Sequence, residues 1–161
     1  MNINYALDLW HTTLTILARR PLPRWKIGDW ISFRTHFHDE AVKFIGASES
    51  KHAIVGIDEK RLTLECSNSK FYKDGIKEVL DFQSLSNFPA PAISEMDLGD
   101  EELVICGKPF KTRRIRFTLR EQIFIEINFS ESMPVFGIAR LQKWAGSQLD
   151  VTYEVVSFGT K

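Results

Sequence analysis

Cysteine is scarce in this chain: only two of its 161 residues, Cys66 and Cys106, carry a thiol. Neither stands in a CxxC pair or beside a plausible base, so two reduced, buried thiols are the expectation rather than a disulfide or a reactive pair. Long apolar runs are missing too, since no stretch approaches the ~18–20 residues that span a membrane as a helix. A secretory leader is not apparent, because Asp8 interrupts the first apolar stretch and the arginines come after it. As given, the sequence reads as cytoplasmic, or as periplasmic if a leader once preceded it. Net charge is also lacking: Lys plus Arg and Asp plus Glu both number 21, so no global field draws the protein to nucleic acid or to an anionic membrane. No serine, cysteine or carboxylate pair lies in a recognisable nucleophile or acid-base motif, and no glycine-rich loop follows a strand. Enzymatic activity has no support here, and no cofactor is implied.

What the chain does have is apolar and aromatic content suited to a packed sheet. Hydrophobic residues make up 43% and charged residues 26%, with twelve phenylalanines, four tryptophans and three tyrosines. At this length one domain over 1–161 is expected, able to bury roughly 68–70% of its unfolded surface without a metal or disulfide. Residues 1–20 read as a single N-terminal helix: Ile3, Ala6, Leu7, Trp10, Leu14 and Leu17 form one stripe, and Pro21 and Pro23 stop it.

Residues 28–83 read as a first group of strands. Trp30 to Phe37 alternates, Ala41 to Ala47 reads as a further strand or its continuation, and His52–Ile57 and Arg61–Cys66 flank an Asp58-Glu59-Lys60 turn. Residues 71–82 fit either a helix or a strand, with strand preferred. Residues 84–101, with Pro89, Pro91 and Gly99, read as a connecting loop. Residues 102–159 form an antiparallel meander of five runs, Glu102–Cys106, Lys111–Leu119, Gln122–Phe129, Val135–Trp144 and Leu149–Phe158, with polar or glycine turns between them. The fold class is therefore mainly β within α+β, a curved antiparallel sheet or incomplete barrel of about seven to nine strands with one N-terminal helix.

Several landmarks carry a resemblance. They are Gly28-Asp29-Trp30-Ile31-Ser32-Phe33, Val55-Gly56-Ile57-Asp58 leading into Leu62-Thr63-Leu64-Glu65, and Glu102-Leu103-Val104-Ile105 with Gly107-Lys108. Met133-Pro134-Val135-Phe136-Gly137-Ile138 and Tyr153-Glu154-Val155-Val156-Ser157-Phe158-Gly159 complete the set. Together they are similar to a widespread group of uncharacterised bacterial β-sheet proteins whose curved sheet resembles the half-open barrel of the LolA-type lipoprotein carriers. The resemblance implies a fold and transfers no catalytic residue.

Three constellations are candidate sites. Phe33, Phe37, Ile125, Ile127, Phe129, Ile138, Val151 and Tyr153 would share the concave face, either as the lining of a ligand cavity or as a packed core. Arg114 and Arg116 share a strand face and could hold a carboxylate or phosphate, unless Glu126 and Glu101 on neighbouring strands answer them. His36 and His38, with His52 on an adjoining strand, have the imidazole chemistry of a zinc site, although exposed histidine pairs are commoner than sites. The leading function is a non-enzymatic binding protein holding an apolar or amphipathic ligand, a hydrophobic small molecule or lipid, on the concave face. The alternative is a protein-interaction module, binding a protein partner or a second copy through a sheet edge or aromatic patch. A metal-dependent enzyme comes third.

Overall fold

Alternation of apolar and polar residues dominates the chain after its first helix, and the described residues form nine strands. A computed structural model describes residues 3–39, 46–70, 72–87 and 93–161, with side chains from residue 9 onward. The order is α1 (Ile3–Ala18), β1 (Asp29–Phe37), β2 (Ser48–Asp58), β3 (Arg61–Asn68), β4 (Tyr72–Asp81) and α2 (Phe82–Ser86), followed by β5 (Ser94–Ile105), β6 (Lys108–Arg120), β7 (Ile123–Phe129), β8 (Ile138–Ala145) and β9 (Gln148–Thr160). All the strands join one sheet in the order β4-β3-β2-β1-β9-β8-β7-β6-β5, each neighbour antiparallel. Two meanders, β1–β4 and β5–β9, are thus stitched together by the pairing of the first strand with the last. The sheet stays open, with β4 and β5 as its edges. It bends enough that the far end of the β5–β6 hairpin returns to β9, where Cys106 Sγ donates to Val156 O at 3.1 Å and the Phe110 and Phe158 rings stand 5.8 Å apart.

Register gives each face a distinct chemistry. One cross-strand row runs Ile115, Ile127, Leu141, Tyr153, Thr35 and Ser48, and its neighbour runs Phe117, Ile125, Lys143, Val151 and Phe37. This is the inner face, and α1 lies on it through Trp10, whose indole stacks on His52 at 5.6 Å and meets the Phe136 ring edge-on at 5.0 Å. The helix also buries Leu9, Thr13, Leu14, Thr15, Ile16 and Leu17, more than a single stripe. Thr13 and Thr15 are tolerated there because their hydroxyls donate to Leu9 O and Thr12 O within the helix, at 2.8 and 2.7 Å. The outer face carries the opposite parity: Arg114, Asn128, Arg140, Glu154, Arg34 and Glu49 in one row, Arg116, Glu126, Gln142, Thr152 and His36 in the next.

Several expectations need correction. The connecting segment over 84–101 is shorter than expected. Asp81 accepts from Gln83 N and Ser84 N and so caps the short α2, while β5 begins at Ser94. The acidic residues of β5 hid its alternation; at a sheet edge they are solvated, and Arg113 and Arg114 of β6 meet three of them. The run from Val135 starts as loop and becomes strand only at Ile138, because Val135 and Gly137 take φ of 66° and 70°. The strand preferred over 71–82 is present as Tyr72–Asp81, and the strand expected over Ala41–Ala47 falls largely on residues 41–45, outside the described residues. Cys106 is exposed, not buried, since it sits in the β5–β6 turn.

That turn makes a test of its own. Cys106 and Gly107 have φ of 52° and 75°, the signs of a turn that favours Asn-Gly. Cys106→Asn is expected to raise stability by about 0.5–1 kcal/mol, read as a higher urea midpoint at unchanged slope. A lower midpoint would show that the thiol contact with Val156 outweighs the turn.

Candidate functional site

The inner face is filled by the chain itself. Phe33, Ile125, Ile127, Ile138 and Val151 are each 2% exposed or less, and the partly buried Phe37, Phe129 and Tyr153 pack against them. Burial holds the Tyr153 phenol well above its usual range. At the centre stand Trp10 from α1 and Phe136 from the 130–137 loop, both within ring contact of Phe33 and His52. Five of the eight expected cavity residues are therefore core.

Open space lies at the rim instead. A cleft of about 990 Å³ runs between the end of α1 with the Pro21–Arg24 linker and the loop that follows β7. The half-buried Leu22, Phe129 and Phe158 supply its accessible apolar surface, backed by the buried Leu17, Met133 and Phe136, while Arg20, Arg24, Arg113, Asp29 and Glu131 line it with charge. Of the eight expected residues only Phe129 borders it. The walls are fixed by identifiable contacts. Trp25 Nε1 donates to Val135 O at 3.1 Å, Ser130 N donates to Gly137 O at 2.9 Å, and a Cβ on Gly137 would lie 3.4 Å from Pro23. Val135 is a β-branched residue at positive φ, a strained conformation that its burial at 1% exposure and the Trp25 bond hold in place. Arg20 lays its guanidinium over the Phe129 ring at 4.5 Å, and its contact with Glu95 is long, 3.4 Å.

The arginine pair lies on the outer face. Arg114 and Arg116 both reach Glu126, Arg116 at 3.0 Å, and Arg114 also approaches Glu101 at 3.6 Å. Glu101 further accepts from Arg140 at 2.9 Å and from Asn128 at 3.0 Å. Burial alone would raise the Glu101 carboxyl, but Asn128 and Arg140 hold it below its ordinary value. The pair is thus met by carboxylates of the chain, one of which, Glu126, has a side chain only 3% exposed.

The three histidines divide between faces. His36 and His38 stack at 6.3 Å on the outer face, where His36 faces Glu154 at 3.4 Å and His38 Nε2 lies 2.9 Å from Thr152 Oγ1. His52 pairs with Ile31 and so points inward. Among the described residues no group of three His, Cys, Asp or Glu side chains is arranged to hold a metal.

His52 has an unforeseen partner: register sets Cys66 opposite it, with Sγ 3.4 Å from Nδ1. Burial lowers the His52 imidazole to about 4 and, with Glu78, raises the Cys66 thiol to about 12. Both groups are neutral near pH 7, so this is a thiol against an imidazole and lacks the thiolate of a nucleophilic pair.

Sequence reasoning missed Arg20, Leu22, Arg24, Met133, Phe136 and Phe158. They come from a linker, a loop and a strand end: Phe136 and Phe158 fall within alternating runs that say nothing of a cleft, and for the others the prolines at 21, 23 and 134 were the available signal.

No family model and no curated protein matches the sequence. Solved structures do match in fold. The chain is similar to MucB in its complex with MucA(peri), with TM-score 0.55 and 12% identity over 94% of this chain and 54% of that one. It is likewise similar to MucB crystallised alone, with TM-score 0.54 and 10% identity over 95% and 58% of the two chains. The Pseudomonas aeruginosa MucA/MucB complex gives TM-score 0.56 and 11% identity over 94% and 56%. The chain spans a little over half the length of those chains, and what it shares with them, and with the half-barrel expected from sequence, is the fold.

Proposed function

We propose that this chain is a non-enzymatic binding module that seats a segment of a partner protein in the rim cleft. The observation that carries the reading is the cleft itself: an open space of about 990 Å³ with apolar walls and a few charged groups, beside an inner face already filled by α1 and Phe136. The fold neighbours add support, since MucB has been crystallised in complex with MucA. The sheet edges serve the role less well. β5 carries Glu95, Asp97, Asp100, Glu101 and Glu102 and a bulge at Asp97/Gly99, and β4 carries Lys73, Lys77 and a positive-φ Gly75. Charges and bulges of this kind discourage strand addition.

The test is fluorescence anisotropy with labelled extended peptides of about ten residues that mix apolar and charged side chains. Leu22→Glu places a charge in the cleft wall and is expected to weaken binding at least about tenfold, whereas Val79→Glu on the β4 edge leaves it unchanged. Equal loss in both variants, or none in Leu22→Glu, would overturn the assignment.

A further inference from the structure

The charges at the cleft go further and indicate which segment fits, on the premise that the cleft is the partner site. Three guanidinium groups line it against two carboxylates. Asp29 is one of those carboxylates; it is buried and already accepts from Thr160 Oγ1 at 2.7 Å, so it faces the cleft less than it faces the sheet. Glu131 is exposed. Among the arginines, Arg113 is taken up by Asp97 and Asp100, at 2.7 and 2.8 Å.

Arg20 and Arg24 are different. Arg20 is pre-positioned over Phe129 and, among the described residues, reaches one ion-pair carboxylate, the half-exposed Glu95, at 3.4 Å, a contact that a closer carboxylate would replace. Arg24 is exposed, and no ion pair or hydrogen bond engages its side chain among the described residues. A guanidinium stacked on an aromatic ring keeps its N–H edge free for an in-plane acceptor, and little side-chain entropy is lost when one arrives. Beside these two cations the wall is apolar, with Leu17, Leu22 and Phe158.

We propose that the cleft takes an extended segment of a partner protein in which an acidic side chain, met by Arg20 and Arg24, stands next to apolar residues that cover Leu22 and Phe158. A second copy of the chain is the competing occupant.

Three labelled peptides of one length and one apolar pattern test this, with glutamate, glutamine or lysine at the central position. The glutamate peptide is expected to bind about tenfold more tightly than the glutamine peptide and to weaken with added salt, and Arg24→Glu is expected to invert the preference toward lysine. Equal binding of all three, reduced alike by Leu22→Glu, would overturn the acidic assignment while leaving the cleft reading standing. No binding by any of them would remove both. Sedimentation completes the experiment: a monomer supports a separate partner, and self-association abolished by Leu22→Glu would give the cleft to a second copy and overturn the proposal.

Discussion

Replacing Glu126 with leucine is expected to destabilise the fold by about 3 kcal/mol, near the lower end of what removing one partner from a buried ion pair costs. The side chain is 3% exposed and lies between Arg114 and Arg116, whose own side chains keep 28% and 34% exposure. Both arginine Nε atoms are already buried without a hydrogen-bond acceptor among the described residues, and Glu126 is the carboxylate that the two cations share, Arg114 having Glu101 besides at 3.6 Å. Its loss leaves two positive charges side by side on one strand, and Arg140 adds a third close by through Glu101. That strand, β6, cannot shift to relieve them, because Ile115 and Phe117 on its other face are buried in the core. The penalty comes from stranded charge and not from lost packing, so the triple change Glu126→Leu, Arg114→Met and Arg116→Met is expected to regain most of it. Urea unfolding checks both. A single-variant loss below about 1 kcal/mol, or a triple variant no better than the single, would show that the outer network is a solvated surface feature.

Acid is expected to weaken the fold well before its carboxylates protonate. The His52 imidazole is lowered to about 4 when folded, against 6.5 for an imidazole in water, because burial beneath Trp10 strips its water. Between these values the unfolded chain binds a proton that the folded chain refuses, so stability falls as pH drops from about 6.5 to 4, by about 3 kcal/mol in all. The groups facing His52 do not carry the effect. Cys66 stays protonated throughout, Tyr72 and Tyr153 have raised values, and Glu78, also raised by burial, changes stability with the opposite sign. Asp81, Asp97 and Glu101, all held below their ordinary values, begin to add their own loss at the acid end of this window, near pH 4.5, and continue below it. Urea unfolding at pH 7 and pH 4 measures the difference, and His52→Leu is expected to remove most of it. A wild-type midpoint that does not move across this window would contradict the buried, neutral imidazole.

How much of this was legible depends on whether the signal is local. Alternation in Ile123 to Phe129 and in Arg61 to Cys66 marked strands correctly, and the stripe on α1 marked a helix that lies on the sheet. Alternation cannot say which distant strands pair. That β1 joins β9 follows from register between strands far apart in the chain, which no short window contains, and that His52 meets Cys66 depends on a bulge between Ile54 and Gly56 that shifts the β2–β3 hairpin by one residue. The acidic β5 was hidden because edge strands replace apolar residues with charge. The cleft was hidden for a related reason: its walls are a proline-containing linker and a loop whose shape depends on two positive φ angles, and Phe136 reads as part of a strand until Val135 turns it inward.

The central claim is that binding happens at the rim and not inside the half-barrel. Methyl-resolved NMR during titration with the glutamate-bearing peptide tests it most directly. The expected result is chemical-shift change at the methyls of Leu17, Leu22 and Met133, which line the cleft, with Ile125, Ile127 and Val151 unmoved in the buried inner face. Shifts centred on Ile125, Ile127 and Val151 would place the ligand on the inner face and contradict the account.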